Sequence, residues 1–202
     1  MASTASPYGL KAVNHIGGTP YAGSTRLLPI ASGYASNLYN GQVVQINSSG
    51  VIILMPSAGT NADPFDAGTI GVFVGCTYTD SVTGVLTFNQ RWPTGTVASD
   101  AKAYVIDDPD VVFMAQADDT LAQTALGNNI HLVTAQTTST GSTTTGNSTS
   151  ALDASEIATT STFAFRIVDF VDSTTSTVGD AFTDVLIKFN AGVHSYNNST
   201  GV

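Results

Sequence analysis

The sequence predicts a mainly β protein: an antiparallel barrel or sandwich, preceded by an extended N-terminal arm and carrying one or two short helices. Three observations carry this reading. In Ala101 to Asp118, AKAYVIDDPDVVFMAQAD, two apolar β-prone runs flank Asp107-Asp108-Pro109-Asp110. Asp tolerates turn geometry and Pro presets φ for a bend, so the segment reads as strand, corner, strand, a hairpin around Pro109. Charged residues are only 10% of the chain and Glu156 is its sole glutamate, whereas Ser, Thr, Gly and Asn abound. Glu and Lys favour helices and Thr favours strands, so this balance opposes a helical fold. Finally, strand-like runs recur every 8 to 15 residues or so with turn residues between them, the spacing of sandwiches and barrels.

The elements follow in order. Residues 1 to 26 form the arm, punctuated by Pro7, Gly9, Gly17, Gly18, Pro20 and Gly23, without apolar periodicity. Pro7, Tyr8, Leu10, Ile16 and Tyr21 make it too apolar for a free tail. They are the candidate partner-contact residues, laid either on the chain's own domain or on a neighbouring subunit. The β-rich body spans residues 27 to 202. Leu27, Leu28 and Ile30 make a strand ending at Gly33. Gly41 to Ile46 and Val51 to Met55 flank Asn47-Ser48-Ser49-Gly50 and read as a hairpin with a four-residue loop. Pro56 to Pro64 is a loop, Ile70 to Tyr78 a strand, Asp80 to Gly84 a turn and Val85 to Phe88 a short strand. Arg91 to Gly95 makes a corner before the Pro109 segment.

Beyond it, Asp118-Asp119-Thr120 offers N-caps for a helix over Leu121 to Leu126, stopped by Gly127. Ser150 to Ala158 places Leu152 and Glu156 one helical turn apart and predicts a second helix. The polar run Gln136 to Ser150, QTTSTGSTTTGNSTS, can bury little apolar surface and predicts an exposed loop. Phe163 to Val171 and Asp184 to Phe189 are the last strands. Arg166 there either faces solvent or pairs with an acid at an interface.

The formal net charge is −9, and Lys11, Arg26, Arg91, Lys102, Arg166 and Lys188 are scattered singly. Phosphate binding needs clustered Lys and Arg, so nucleic acid is not an expected partner. MASTASPYGLKAV lacks the apolar core of a secretory signal, and no run of about 20 apolar residues predicts a membrane helix. Cys76 is alone, which removes intrachain disulfides, and its apolar surroundings read as a buried small hydrophobe. Asp107, Asp108 and Asp110 are hard oxygen ligands of the kind Ca²⁺ takes. Without EF-hand spacing or a loop Gly they read as turn formers, as do Asp63 and Asp66 around Pro64. His15, His131 and His194 have no marked nucleophile to serve, and a single Glu excludes a paired-Glu glycosidase site. No phosphate loop, dinucleotide fingerprint or zinc spacing occurs. No enzyme activity, metal or cofactor is therefore expected. Trp92, in QRWPTG, either covers one end of the barrel or stacks on a sugar or a partner.

Several segments, in order, resemble the head decoration (cement) proteins of tailed bacteriophages. They are PYGLKAVNHIGGTPYAG with the Leu-Pro-Ile strand (residues 7 to 30), Tyr39 to Val44, the GVFVG strand, Trp92-Pro93, Ala103 to Pro109 and Leu126 to Asn129. The resemblance covers most of the chain, and each motif in it is structural. It implies a β-barrel or β-tulip-like body on the outer surface of an icosahedral phage capsid. The expected partners are the major capsid protein and further copies of this chain in a homotrimer, with the arm contacting the shell and no catalytic residue to carry over. The alternative is another phage structural protein, a tail or fibre adhesin with a carbohydrate-binding surface.

Overall fold

The computed structural model describes residues 4–136 and 140–202. Its strands are β1 (Lys11–His15), β2 (Arg26–Pro29), β3 (Gln42–Ile46), β4 (Ile52–Leu54), β5 (Thr69–Thr79), β6 (Leu86–Asn89), β7 (Lys102–Ile106), β8 (Val111–Gln116), β9 (Asn129–Ile130), β10 (Phe165–Phe170) and β11 (Asp184–Phe189). They build two antiparallel sheets. Sheet I runs β1-β8-β11-β10-β9; sheet II runs β2-β7-β5-β3-β4, with β6 paired to β5. The mainly β reading therefore holds. A closed barrel does not form among the described residues, although sheet II curves enough for Ile30, just beyond β2, to bridge Ile52 in β4.

The chain lays down β1 in sheet I, builds all of sheet II from β2 to β7, then returns to sheet I for β8 to β11. The return is the Asp107–Asp110 corner. The expected hairpin there is wrong: β7 pairs with β2 and β5, and β8 with β1 and β11. A Pro-containing Asp turn bends the chain whether the next strand joins the same sheet or the opposite one. The hairpin between β3 and β4 does form, with Val44 opposite Leu54 and Ile46 opposite Ile52. Asn47 closes its loop, its side-chain oxygen accepting from the Ser49 and Val51 amides.

Two cores explain the unbroken apolar runs. Phe113, Phe165, Phe189, Ile167 and Ile187 of sheet I meet Val43 and Val72 of sheet II in the first, joined by Leu10, Leu121 and Leu152. The Phe189 ring packs against Phe113 at 5.8 Å and Phe165 at 5.1 Å. On the far face of sheet II, Val44, Ile70, Phe73, Val105 and Trp92 form the second. Adjacent residues Val43 and Val44 thus enter different cores, and a strand buried on both faces loses its polar alternation. Each such side chain contributes about 1.5–3 kcal/mol on burial. Trp92 is fully buried, its ring edge-on to Tyr78 at 5.4 Å and its Nε1 donating to the Tyr34 carbonyl.

Gly71 permits the inner geometry of sheet II. Its φ is +145°, and a Cβ there would lie 1.9 Å from the Ile106 carbonyl oxygen. The register of β3 on β5 shifts at this point, from Val44 opposite Gly71 to Gln45 opposite Thr69, as a bulge does.

Neither expected helix forms. Gln123–Ala125 is one 3₁₀ turn whose N-cap, Ala122, is extended. The Leu121 amide, to which an Asp118 cap would bond, donates instead to the Thr183 hydroxyl, and the Asp118 carboxylate accepts from the Ala154 amide. Leu152 itself runs extended, bridging Ala117 and Leu132, and Asp153 makes a local turn by accepting from the Ser155 amide and hydroxyl. Remote hydrogen bonds win over local helix signals here. The expectation of an exposed polar loop is also overturned at both ends, while Thr137 to Ser139 lie outside the described residues. Gln136 is buried and exchanges two 3.0 Å bonds with the Val43 amide and carbonyl, as a neighbouring strand would. Ser148 and Ser150 are buried and bonded to each other.

Candidate functional site

The arm residues are divided by the structure. Leu10 is 2% exposed in the first core, and β1 is the edge strand of sheet I, with Lys11 opposite Met114 on β8. Tyr8, half-buried, donates from its hydroxyl to Asp184 at 3.0 Å. Burial raises the Tyr8 phenol, and the Asp184 charge adds to it; burial likewise raises the Asp184 carboxyl. Pro7 is half-buried, and Tyr21 packs against the first core. Of the five, Ile16 alone is exposed. Residues 4 to 15 are thus tied into this chain's own sheet.

The Asp107–Asp110 corner gathers two of the six basic residues that the sequence scatters. Arg26 Nε lies 2.8 Å from Asp107, and Lys188 Nζ 2.7 Å from Asp110. His15 lies 3.6 Å from Asp108, and the Tyr196 hydroxyl donates to Asp107 at 2.7 Å. The Lys188 bond and charge hold the Asp110 carboxyl below its usual range. Burial first, then the bond to Asp107, pushes the Tyr196 phenol up to about 12. The aspartates hold β1, β2, β11 and the C-terminal segment at the crossing between sheets. Among the described residues no three His, Cys, Asp or Glu side chains are grouped to hold a metal.

The remaining titratable candidates are structural. Cys76 is buried, and desolvation lifts its thiol to about 12. His131 is buried between the Leu132 carbonyl, Glu156 and the Phe163 ring. His194 packs on Phe189 and accepts at Nδ1 from the Tyr196 amide; burial depresses its pKa. The three histidines sit in separate environments.

Sequence reasoning placed the strands and turn of the β5–β6 hairpin but missed that its apolar side chains face outward. Val82 is 91% exposed and Phe88 68%, with Val85, Leu86 and nearby Val97 also exposed. The turn is well fixed. Asp80 accepts from the Val82 and Thr83 amides at 2.9 and 2.8 Å, which lower its carboxyl pKa, and Gly84 takes a φ of +67°. At its base, Thr79 is held by two bonds to Asp100. β6 pairs with β5 on one side, and no other strand pairs with it among the described residues. Leu86 and Phe88 alternate with the less exposed Thr87 and Asn89, so the apolar half of this strand faces outward. Alternation in sequence reveals two faces and leaves open which one the protein buries.

No family model matches the chain, and neither a curated protein nor a solved structure matches it.

Proposed function

We propose that this chain is a structural virion protein, a decoration or cement protein on the outer surface of an icosahedral phage head. It stabilises the shell by multivalent contacts with the major capsid protein, as a homotrimer. The observation that carries this reading is the β5–β6 hairpin. Its apolar side chains cost solubility when bare, its turn is held by side-chain bonds, and its outer edge is open to strand addition. Such an element suits an adhesive contact on the shell, where symmetry multiplies weak unit affinities. The order of segments resembling cement proteins supports the same class.

The test is co-sedimentation of the protein with heads lacking decoration, alongside a triple variant V82S/L86S/F88S. These side chains are exposed, so the variant should melt within a few degrees of the parent. Burying a Phe88-sized side chain against a partner is worth about 2 kcal/mol, or about 30-fold in affinity. The triple change should therefore lower attachment at least 100-fold. Unchanged attachment would remove the hairpin from the contact. Glycan binding without head binding would instead favour a tail or fibre adhesin.

A further inference from the structure

We propose that the outer face of sheet I carries a docking groove for an acidic, partly apolar extended protein segment, with Arg166 receiving the segment's carboxylate. The inference takes from the preceding reading only the identity of the partner, the shell; the groove's chemistry is argued independently of it.

Arg166 on β10 lies directly opposite Lys188 on β11. Like charges facing each other across an antiparallel pair repel. Lys188 is compensated by Asp110, whereas Arg166 has no ion pair among the described residues. Its Nε donates to Asn129 Oδ1 at 3.1 Å, and buried Asn129 is itself fixed, its Nδ2 donating to the Thr160 carbonyl at 2.8 Å. Fixing Nε orients the guanidinium, and its two terminal nitrogens can then meet a carboxylate as a fork. In a chain of net charge −9, this cation is held in place and pairs with no acid among the described residues.

The groove beside it has a volume of about 290 Å³, lined by Arg166, Lys188, Ile16, Val168 and Ala191 among others. Past Ile16 and Val168 it continues into a hollow of about 190 Å³ that reaches Asn14 and Leu186. Asp169 borders this second hollow, so a carboxylate is repelled from it and favoured at the Arg166 end. A cation followed by an apolar floor describes an extended segment with an acid first and an aliphatic side chain next.

The experiment is fluorescence anisotropy of the full chain with three probes: a labelled hexapeptide of alternating Leu and Asp, its Leu–Asn counterpart, and inorganic phosphate as competitor. We expect binding of the Leu–Asp peptide that weakens at high salt. It should fall about 10-fold in Arg166→Lys, which keeps charge but loses the fork, and about 100-fold in Arg166→Glu. Melting curves of both variants establish that they remain folded. Equal binding of the Leu–Asn peptide, indifference to Arg166→Glu, displacement by millimolar phosphate, or no peptide binding would each overturn the proposal. Head co-sedimentation separates the two claims. Weaker attachment of Arg166→Glu supports the shell as the acidic partner. Peptide binding by a protein that ignores heads upholds the groove and removes the shell as its partner.

Discussion

Replacing Gly71 by alanine should destabilise the protein more than alanine at any other glycine of positive φ. Its φ of +145° belongs to a region that L side chains rarely adopt, which costs about 1–3 kcal/mol. The new Cβ would also sit 1.9 Å from the Ile106 carbonyl oxygen, about 1.5 Å inside ordinary contact, with the Ile106 carbonyl carbon and Asp107 Cα close behind. All three are backbone atoms, so no rotamer change relieves the clash. β5 must part from the end of β7, where Val72 faces Ile106, and one or two ladder bonds weaken at about 1 kcal/mol each. The total is about 2–5 kcal/mol, against the 5–15 kcal/mol that holds a typical domain together. Gly50→Ala is the matched control: φ is +73° in the β3–β4 loop with open space around it, so only the conformational cost remains. Urea and thermal unfolding of both variants measure the difference. At about 2–4 °C per kcal/mol for a chain of this size, Gly71→Ala should melt about 2–8 °C below Gly50→Ala. Equal melting temperatures would refute the argument that β5 and β7 depend on a side-chain-free approach at this position.

Two further outcomes follow from the same structure. Leu10→Ala should cost about 2–5 kcal/mol, because the residue is buried in the first core; a melting temperature within 2 °C of the parent would show that the arm is an appendage after all. His194 is held neutral by burial, so its folded pKa lies below that of the unfolded chain. Its contribution is complete above about pH 6.5, the unfolded value, and is lost as pH falls toward the depressed folded value. Stability measured by urea unfolding should therefore decline from pH 7 to pH 5, and this part of the slope should flatten in His194→Gln. An identical slope in that variant would rule His194 out as its source.

The legible parts of this fold are those whose cause is local. The β3–β4 hairpin is written in Asn47 and Gly50, which set both turn and register. β5, β10 and β11 stand out as apolar runs that no helix period fits. The corner at Asp107–Asp110 is legible as a bend but not as a crossing, because the partners of β7 and β8 lie up to a hundred residues away. The helix signals at Asp118 and Ser150 are sound locally, yet Thr183 takes the Leu121 amide and Ala154 the Asp118 carboxylate, the two halves of the cap bond. The burial of Gln136 is hidden in its polar tract because a glutamine side chain acting as a strand partner leaves no period in sequence. The arm's apolar residues were visible; that Leu10 is spent in the chain's own core depends on β8, laid down a hundred residues later. Among the surface elements, neither the outward face of β6 nor the isolation of Arg166 from acids can be read from spacing, since both are relations to groups remote in the chain.

The arrangement of cores also decides where another molecule can attach. Sheet II has a core on each face, so Val43, Val44, Val72 and Phe73 are all consumed internally. What sheet II can offer outward is the piece that outruns its second core, the β6 arm of the hairpin. Sheet I has a core on one face only, and its other face keeps half-buried Met114, Leu186 and Val168 beside Arg166 and Lys188. The two surfaces differ in chemistry. Contact through the hairpin gains chiefly from apolar area and should be nearly indifferent to salt, whereas contact through the groove depends on charge and should weaken as ions screen Arg166. If both engage one partner, raising ionic strength removes only the groove's share, and Arg166→Gln reduces the salt dependence while leaving the hairpin's share intact. A salt response that persists unchanged in Arg166→Gln would mean that the charge responsible is another one, Lys188 in the same groove or Lys11 on the edge strand β1.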